Sequence, residues 1–205
     1  MAADAPRLVL ASASPARLET LTRAGLAPEV VVSDVDEDAF AADDVPALVL
    51  ALATAKAASV AARLPAGVDT LVVGCDSLLE LDGEPLGKPA SPAEATQRWR
   101  SMRGRVGHLH TGHHVVRLGP SPGSTSGVAT TEVRFAEVSD AEIAAYVATG
   151  EPERVAGAFT IDGLGGAFVT AVSGDPHNVV GISLPLLRGL FAGLGVSWHT
   201  LWRVP

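Results

Sequence analysis

The chain has 205 residues, a formal net charge of −8, and 47% hydrophobic and 19% charged side chains. That is enough apolar material for one or two cores, with an acidic balance that argues against general binding to nucleic acid or to anionic membranes. The single cysteine, Cys75, excludes an intramolecular disulfide and gives no sign of an oxidising compartment.

The N-terminal segment has no basic stretch followed by an apolar one, so the cytoplasm is the expected location. The apolar run from Val45 to Ala55 falls short of the roughly 20 residues that span a bilayer, and no membrane role is expected.

In chain order, Leu8 to Ala11 reads as a buried strand, followed by the turn Ser12-Ala-Ser-Pro15 and a helix to about Arg23 that Gly25 ends. A second strand, Glu29 to Ser33, leads into the acidic loop Asp34-Val-Asp-Glu-Asp38. Pro46 then sits in the first turn of a long helix to about Leu64. A strand from Thr70 runs through Asp76 to Leu81, where Asp82-Gly83 supplies a hairpin turn and Gly87-Lys-Pro89 closes the loop.

A helix is predicted from about Pro92 to Met102. Extended segments near His108 to Leu118 and Val128 to Val138 flank a turn-rich hairpin loop, Gly119 to Gly127, and suggest an antiparallel portion. Ser139 and Glu142 have capping-box spacing for a helix ending near Gly150. Strands are predicted at Ala158 to Ile161 and Ala167 to Val172, and a last helix at about Leu184 to Leu194. The alternation predicts an α/β fold with a mixed β-sheet flanked by helices. Without repeats or a linker, one domain over 1–205 is expected.

Two charges violate the apolar pattern. Helical spacing puts Lys56 on one face with Leu48, Val49, Leu52 and Val60, and Asp76 interrupts the apolar run 71–79. Buried ions are unfavourable by several kcal/mol (~3–5) unless paired, so these positions point to a site. Lys56 either meets an anion or packs its stem and sends its ammonium to solvent. Asp76 either binds a metal or water at a strand end or caps a neighbouring backbone group.

Ser12, Ser14 and Arg17 lie where a strand gives way to a helix, a place where amides, hydroxyls and a guanidinium can receive an anion and where ordinary capping also occurs. The acidic string Asp34, Asp36, Glu37, Asp38 is either a solvated loop or a set of oxygen ligands for Mg²⁺ or Mn²⁺. His108, His110, His113 and His114 read as a polar strand rather than a metal site. The sequence has no Walker loop, no Gly-x-Ser-x-Gly elbow and no Cys-His pairing.

Leu10-Ala-Ser-Ala-Ser-Pro-Ala-Arg17, Ser33-Asp-Val-Asp-Glu37, Ala55-Lys-Ala57 with Gly74-Cys-Asp-Ser77, and Leu86-Gly-Lys-Pro89 follow one another in the order and spacing of the motifs of Maf proteins. The segments Gly150 to Phe159 and Gly174 to Pro185 extend the resemblance over nearly the whole chain. The chain thus resembles a family of nucleoside triphosphate pyrophosphatases, also called septum formation inhibitors, whose fold is similar to that of inosine triphosphate pyrophosphatases.

The resemblance implies hydrolysis of a nucleoside triphosphate to the monophosphate and pyrophosphate, a divalent cation (Mg²⁺ or Mn²⁺), a homodimer, and a link to cell division. By motif position it puts the catalytic proton acceptor on Asp76, an acidic metal-site residue on Glu37, the catalytic lysines on Lys56 and Lys88, and substrate contacts on Ser12, Ser14 and Arg17. Asp76 is also an expected metal ligand.

Ala16, Ser77 and Asp162 depart from the family pattern at positions tied to base choice, so the base is left open. Gly107 and the extended Gly181-Ile-Ser-Leu-Pro185 depart as well. Two alternatives remain at this point: a nucleotide-binding regulator of septum formation with little turnover, and a pyrophosphatase of the inosine-triphosphate type.

Overall fold

A computed structural model describes residues 5–203. In β1 (Arg7–Leu10), Leu8 and Leu10 join one apolar cluster while Val9 and the following Ala11 join another. Burial on both faces marks an internal strand. β1 pairs in parallel with β2 (Glu29–Val30) on one side and β3 (Thr70–Leu81) on the other. β3 repeats the alternation, with Leu71, Val73 and Cys75 in the first cluster and Val72 in the second.

Helices cover both faces. α1 (Pro15–Arg23) brings Leu21 to the first cluster, and α6 (Leu184–Gly193) brings Leu187, Leu190 and Phe191; α2 (Val45–Ala61) brings Val60 to the second. All three begin with the same device. Ser14, Asp44 and Ser183 accept the amide protons of Arg17, Ala47 and Leu186, and a proline stands in the first turn, where no donor is lost.

β4 (Glu84–Leu86) returns antiparallel on β3 through Asp82 and Gly83, whose φ values of 56° and 85° are what a tight hairpin turn needs. Then come α3 (Pro92–Met102), β5 (Val106–Leu118), β6 (Gly123–Phe135), α4 (Asp140–Ala148), β7 (Val169–Ser173) and α5 (Pro176–Val180). The strand order is β2-β1-β3-β5-β6-β7, with β4 on β3 and β7 antiparallel to β6, so the sheet is mixed as expected.

The chain divides into two units. One holds the residues up to Asp76, Thr111–Ala129 and those from Gly181 on; the other holds Ser77–His110 and Thr130–Val180. β3, β5 and β6 each begin in one unit and end in the other. The second unit has its own core around Trp99. The indole meets Phe135, Tyr146 and Phe168 edge-on at 5.5–5.7 Å and donates Nε1–H to the Ala158 carbonyl at 2.8 Å.

α3 has the predicted bounds, and the capping box at Ser139 and Glu142 is formed. Three strand predictions fare differently. The second strand stops at Val30, because β1 ends at Leu10 and only the Val31 amide, bonded to the Leu10 carbonyl, continues the pairing. The loop predicted to reach Gly127 closes by Pro122, since β6 starts at Gly123.

Ala158 to Ile161 is not a strand. Gly157 and Ala158 have φ of 71° and 60°, outside the extended region of regular strands, and 3₁₀ turns occupy Pro152–Arg154, Ala156–Ala158 and Leu164–Phe168. α5 and a 3₁₀ turn at Trp198–Leu201 were not anticipated. No helix among the described residues is long and apolar enough to cross a membrane.

Candidate active site

Lys56 is buried on the inward face of α2 with Val49, Leu52, Ala53, Ala57 and Val60, as the periodicity predicts; Leu48 is only half-buried. Its ammonium does not reach for solvent. Nζ lies 2.5 Å from Asp76 Oδ1 and 2.7 Å from Glu37 Oε1, so one cation joins two carboxylates from separate elements. Asp76 is 7% exposed inside β3 and its carboxylate meets an ammonium, while Glu37 opens a 3₁₀ turn at the surface.

Gly74 makes this contact possible, and the sequence reading gave it no part. A Cβ at 74 would lie 2.2 Å from the Ala53 carbonyl oxygen and 2.7 Å from the Ala57 amide nitrogen. Only a residue without Cβ lets the α2 backbone come this close to β3. Lys56 and Asp76, one helical position and two strand positions away from that contact, are thereby brought together. Gly112 repeats the device on β5, where a Cβ would meet the Val49 carbonyl oxygen at 2.2 Å.

Beside Asp76, the turn before α1 is tied down from within. Arg17, 8% exposed, donates from Nη1 to Ser12 Oγ at 3.0 Å and to the Cys75 carbonyl at 2.9 Å, and from Nε to the Gly181 carbonyl at 2.7 Å. Ser12 Oγ also accepts the Ser14 amide at 3.2 Å, and Ser14 Oγ caps α1. Much of the Arg17 fork is therefore directed at backbone and hydroxyl oxygens that shape the turn and the strand next to Asp76.

The field of this cluster follows from burial and charge. Burial pushes the Asp76 pKa above the ordinary aspartate range; Lys56 and Arg17 pull it back and Glu37 adds to the rise. Cys75 is fully buried, which raises its thiol to about 12 and leaves it protonated at neutral pH. Glu37 and Asp76 offer oxygen donors converging on one cation, a donor set that suits Mg²⁺ or Mn²⁺, which are commonly held by one or two carboxylates with water and substrate phosphate completing the shell. Among the described residues no group of three or more His, Cys, Asp or Glu is placed to hold a metal.

The remaining acidic loop residues are accounted for locally: Asp34 pairs with Arg63 at 3.0 Å, Asp36 precedes the 3₁₀ turn and Asp38 is exposed. His110 and His113 serve the fold. His113 lies between the Thr111 carbonyl and the Ser183 amide, so Nδ1 donates and Nε2 accepts; His110 meets Glu80 and Thr130; burial lowers the pKa of His114.

Ser77, Lys88 and Asp162 belong to the second unit. Ser77 is half-buried in β3, Lys88 is exposed between β4 and α3, and Asp162 is exposed between two 3₁₀ turns. The loop that carries Asp162 is organised by Glu151, which sequence reading missed. Its carboxylate accepts from the hydroxyls of Tyr146 (2.8 Å) and Thr160 (2.6 Å) and from the amides of Leu164 (3.1 Å) and Gly165 (3.0 Å). The only available signal was an acidic residue amid Gly-rich turns.

The model of the family described as Maf-like protein matches residues 7–194. The chain is 58% identical over 196 residues to a protein of Streptomyces coelicolor named nucleoside triphosphate pyrophosphatase, covering 96% of this chain and 94% of that one. A protein of the same name from Salinispora tropica is 57% identical over 198 residues, covering 96% and 87%. Among solved structures, the Staphylococcus aureus Ham1 protein is similar at a TM-score of 0.40 and 18% identity, over 64% of this chain and 72% of that one. The matched span takes in Ser12, Arg17, Glu37, Lys56 and Asp76, the residues that the first unit gathers, and on this match the chain belongs to the Maf family.

Proposed function

We propose that the protein hydrolyses a nucleoside triphosphate to the monophosphate and pyrophosphate, as a housecleaning activity on the nucleotide pool. The observation that supports this most is the Lys56 ammonium held between Asp76 and Glu37, on residues where the family motifs put catalysis. Relatives at 57–58% identity carry the name of this activity.

Asp76 takes the proton from the attacking water. A free aspartate, with a pKa of about 3.9, is a poor base, and burial moves Asp76 in the useful direction. Lys56 orients that carboxylate and adds positive charge for the phosphates, as does Lys88 for the departing pyrophosphate. Ser12, Ser14 and Arg17 form the turn at the start of α1 where phosphate is received, with Arg17 bracing it from within. Glu37 and Asp76 would hold a divalent cation, Mg²⁺ or Mn²⁺, which when bound would supply charge neutralisation and activation of water.

Ser77 and Asp162 belong to the reading of the base. A homodimer and a cytoplasmic place of action are part of the same proposal.

The test is product analysis on a panel of canonical and modified nucleotides with Mg²⁺ or Mn²⁺. Pyrophosphate and monophosphate should form in equal amounts, and Asp76→Asn should lower turnover by at least about 100-fold while the protein stays folded. Wild-type turnover in folded Asp76→Asn overturns the assignment. Tight nucleotide binding without product would favour the regulator instead.

A further inference from the structure

The loop that carries Lys88 is held from both sides by one ion pair. Gly87, Lys88, Pro89 and Ala90 lie between β4, which ends at Leu86, and the N-cap of α3 at Ser91. The Gly87 carbonyl, just before Lys88, accepts from Arg98 Nη1 and from the Gly157 amide at 3.0 Å. Just beyond Lys88 and Pro89, the Ala90 amide donates to Glu94 Oε2 at 2.7 Å. Arg98 Nη2 and Glu94 Oε1 meet at 2.5 Å, one helical turn apart on α3, which closes the ring.

Ordinary helix capping does not account for this arrangement. In a capping box the acidic residue at the third helical position bonds the amide of the N-cap itself, as Glu142 does for Ser139. Glu94 occupies that position after Ser91, yet its carboxylate reaches one residue further back, to Ala90, inside the Lys88 loop. Arg98 is only 14% exposed in its side chain, so its charge is committed to Glu94 and the Gly87 carbonyl rather than to solvent. Pro89 adds stiffness, since a residue before proline is confined to extended backbone.

The opposite wall is equally fixed. Gly157 has φ of 71°, and a Cβ there would lie 2.8 Å from Leu79 Cβ, while its neighbour Ala158 holds the Trp99 indole.

We propose that Glu94 and Arg98 are positioning residues for Lys88: they fix the backbone on either side of it so that its ammonium is presented in one place to the phosphates of the substrate. This rests on the role given to Lys88 above. The pair itself touches no substrate and acts through the loop. A long flexible side chain on a stiff base gives up less conformational freedom when it binds, and misplacement by about 1 Å is enough to lower a rate about 100-fold.

The experiment is a set of double-mutant cycles in the full-length protein, with kcat and KM measured for the best nucleotide and the exchange rate of the Ala90 amide measured in parallel. Arg98→Ala and Glu94→Ala should each lower kcat/KM about tenfold or more in the wild-type background, with faster exchange at Ala90. Neither should lower it further in a Lys88→Ala background. Arg98→Lys, which keeps the charge but cannot fork to both partners, should recover only part of the loss.

If Lys88→Ala lowers turnover but Arg98→Ala and Glu94→Ala give the same loss with and without Lys88, the positioning role is overturned and the role of Lys88 stands. If Lys88→Ala leaves kcat/KM unchanged, both are overturned. Glu94→Ala, at a more exposed position than Arg98, keeps the test available should Arg98→Ala fail to fold.

Discussion

Replacing Gly74 by alanine tests whether the approach of α2 to β3 is what assembles the site. The added Cβ would sit 2.2 Å from the Ala53 carbonyl oxygen, 2.7 Å from the Ala57 nitrogen and 2.9 Å from Ala57 Cβ. Comfortable carbon contacts lie at about 3.5–4 Å, and two of these three neighbours are backbone atoms that no rotamer change can move. The helix must therefore retreat by roughly 1 Å, a strain worth about 1–3 kcal/mol.

Alanine recovers about 0.5–1 kcal/mol of backbone entropy that glycine loses in a strand, so a net destabilisation of about 1–2 kcal/mol is expected. At roughly 2–4 °C per kcal/mol for a chain of this size, Tm should fall by about 2–8 °C.

Activity should suffer more than stability. The same retreat lifts Lys56 from Asp76, and about 1 Å of misplacement lowers a rate about 100-fold. The assay pairs thermal unfolding with pyrophosphate release well below Tm. Gly189→Ala is the control: it lies on the exposed side of α6 with nothing within 4 Å of the new Cβ, and should raise stability by about 0.5–1 kcal/mol without touching turnover. A Gly74→Ala protein that melts and turns over like wild type refutes the reasoning.

Lys56→Met leaves Asp76 buried without its main partner, and removing one member of a buried ion pair typically destabilises by about 3–5 kcal/mol. The Asp76 pKa, already raised by burial, should rise further; stability is then greatest at low pH and falls as pH climbs through the folded-state pKa. Denaturant unfolding across pH checks this: a deficit that is not larger at pH 8 than at pH 5 speaks against the pairing.

Glu151 shows the opposite sign. Burial alone would raise its pKa, but the Thr160 hydroxyl, the Gly165 amide, the Tyr146 hydroxyl and the Leu164 amide outweigh it and hold the carboxylate below its ordinary value of 4.5. Its contribution is present above that value and disappears as pH falls through the lower folded-state pKa. Glu151→Gln should lower Tm at pH 7 and flatten the loss of stability under acid, read by thermal melts from pH 7 down to pH 3. Cys75, buried with its thiol raised to about 12, should resist thiol reagents in the native protein and react on unfolding; rapid labelling of folded protein contradicts the burial.

Periodicity and local chemistry settle much of this protein. Lys56 on an apolar helix face, Asp76 within a buried strand, the Asp82-Gly83 hairpin and the Ser139 capping box are all local patterns, set by side chains a few residues apart. The motif order carried the family as well. Those same local rules misread Ala158 to Ile161, because a short apolar run looks alike in a strand and in a turn held by distant contacts; there the positive φ at Gly157 and Ala158 and the Trp99 indole decided the backbone.

Only the tertiary structure decided which charges meet. That Glu37 and Asp76 share Lys56, that Arg17 faces the Cys75 and Gly181 carbonyls, and that Glu94 reaches back to Ala90 depend on angstrom-scale approach between elements distant in sequence. Gly74 shows the physical reason. In the sequence it is a weak spot in a strand, and in the fold it is the missing Cβ that lets helix and strand close until a lysine and an aspartate touch.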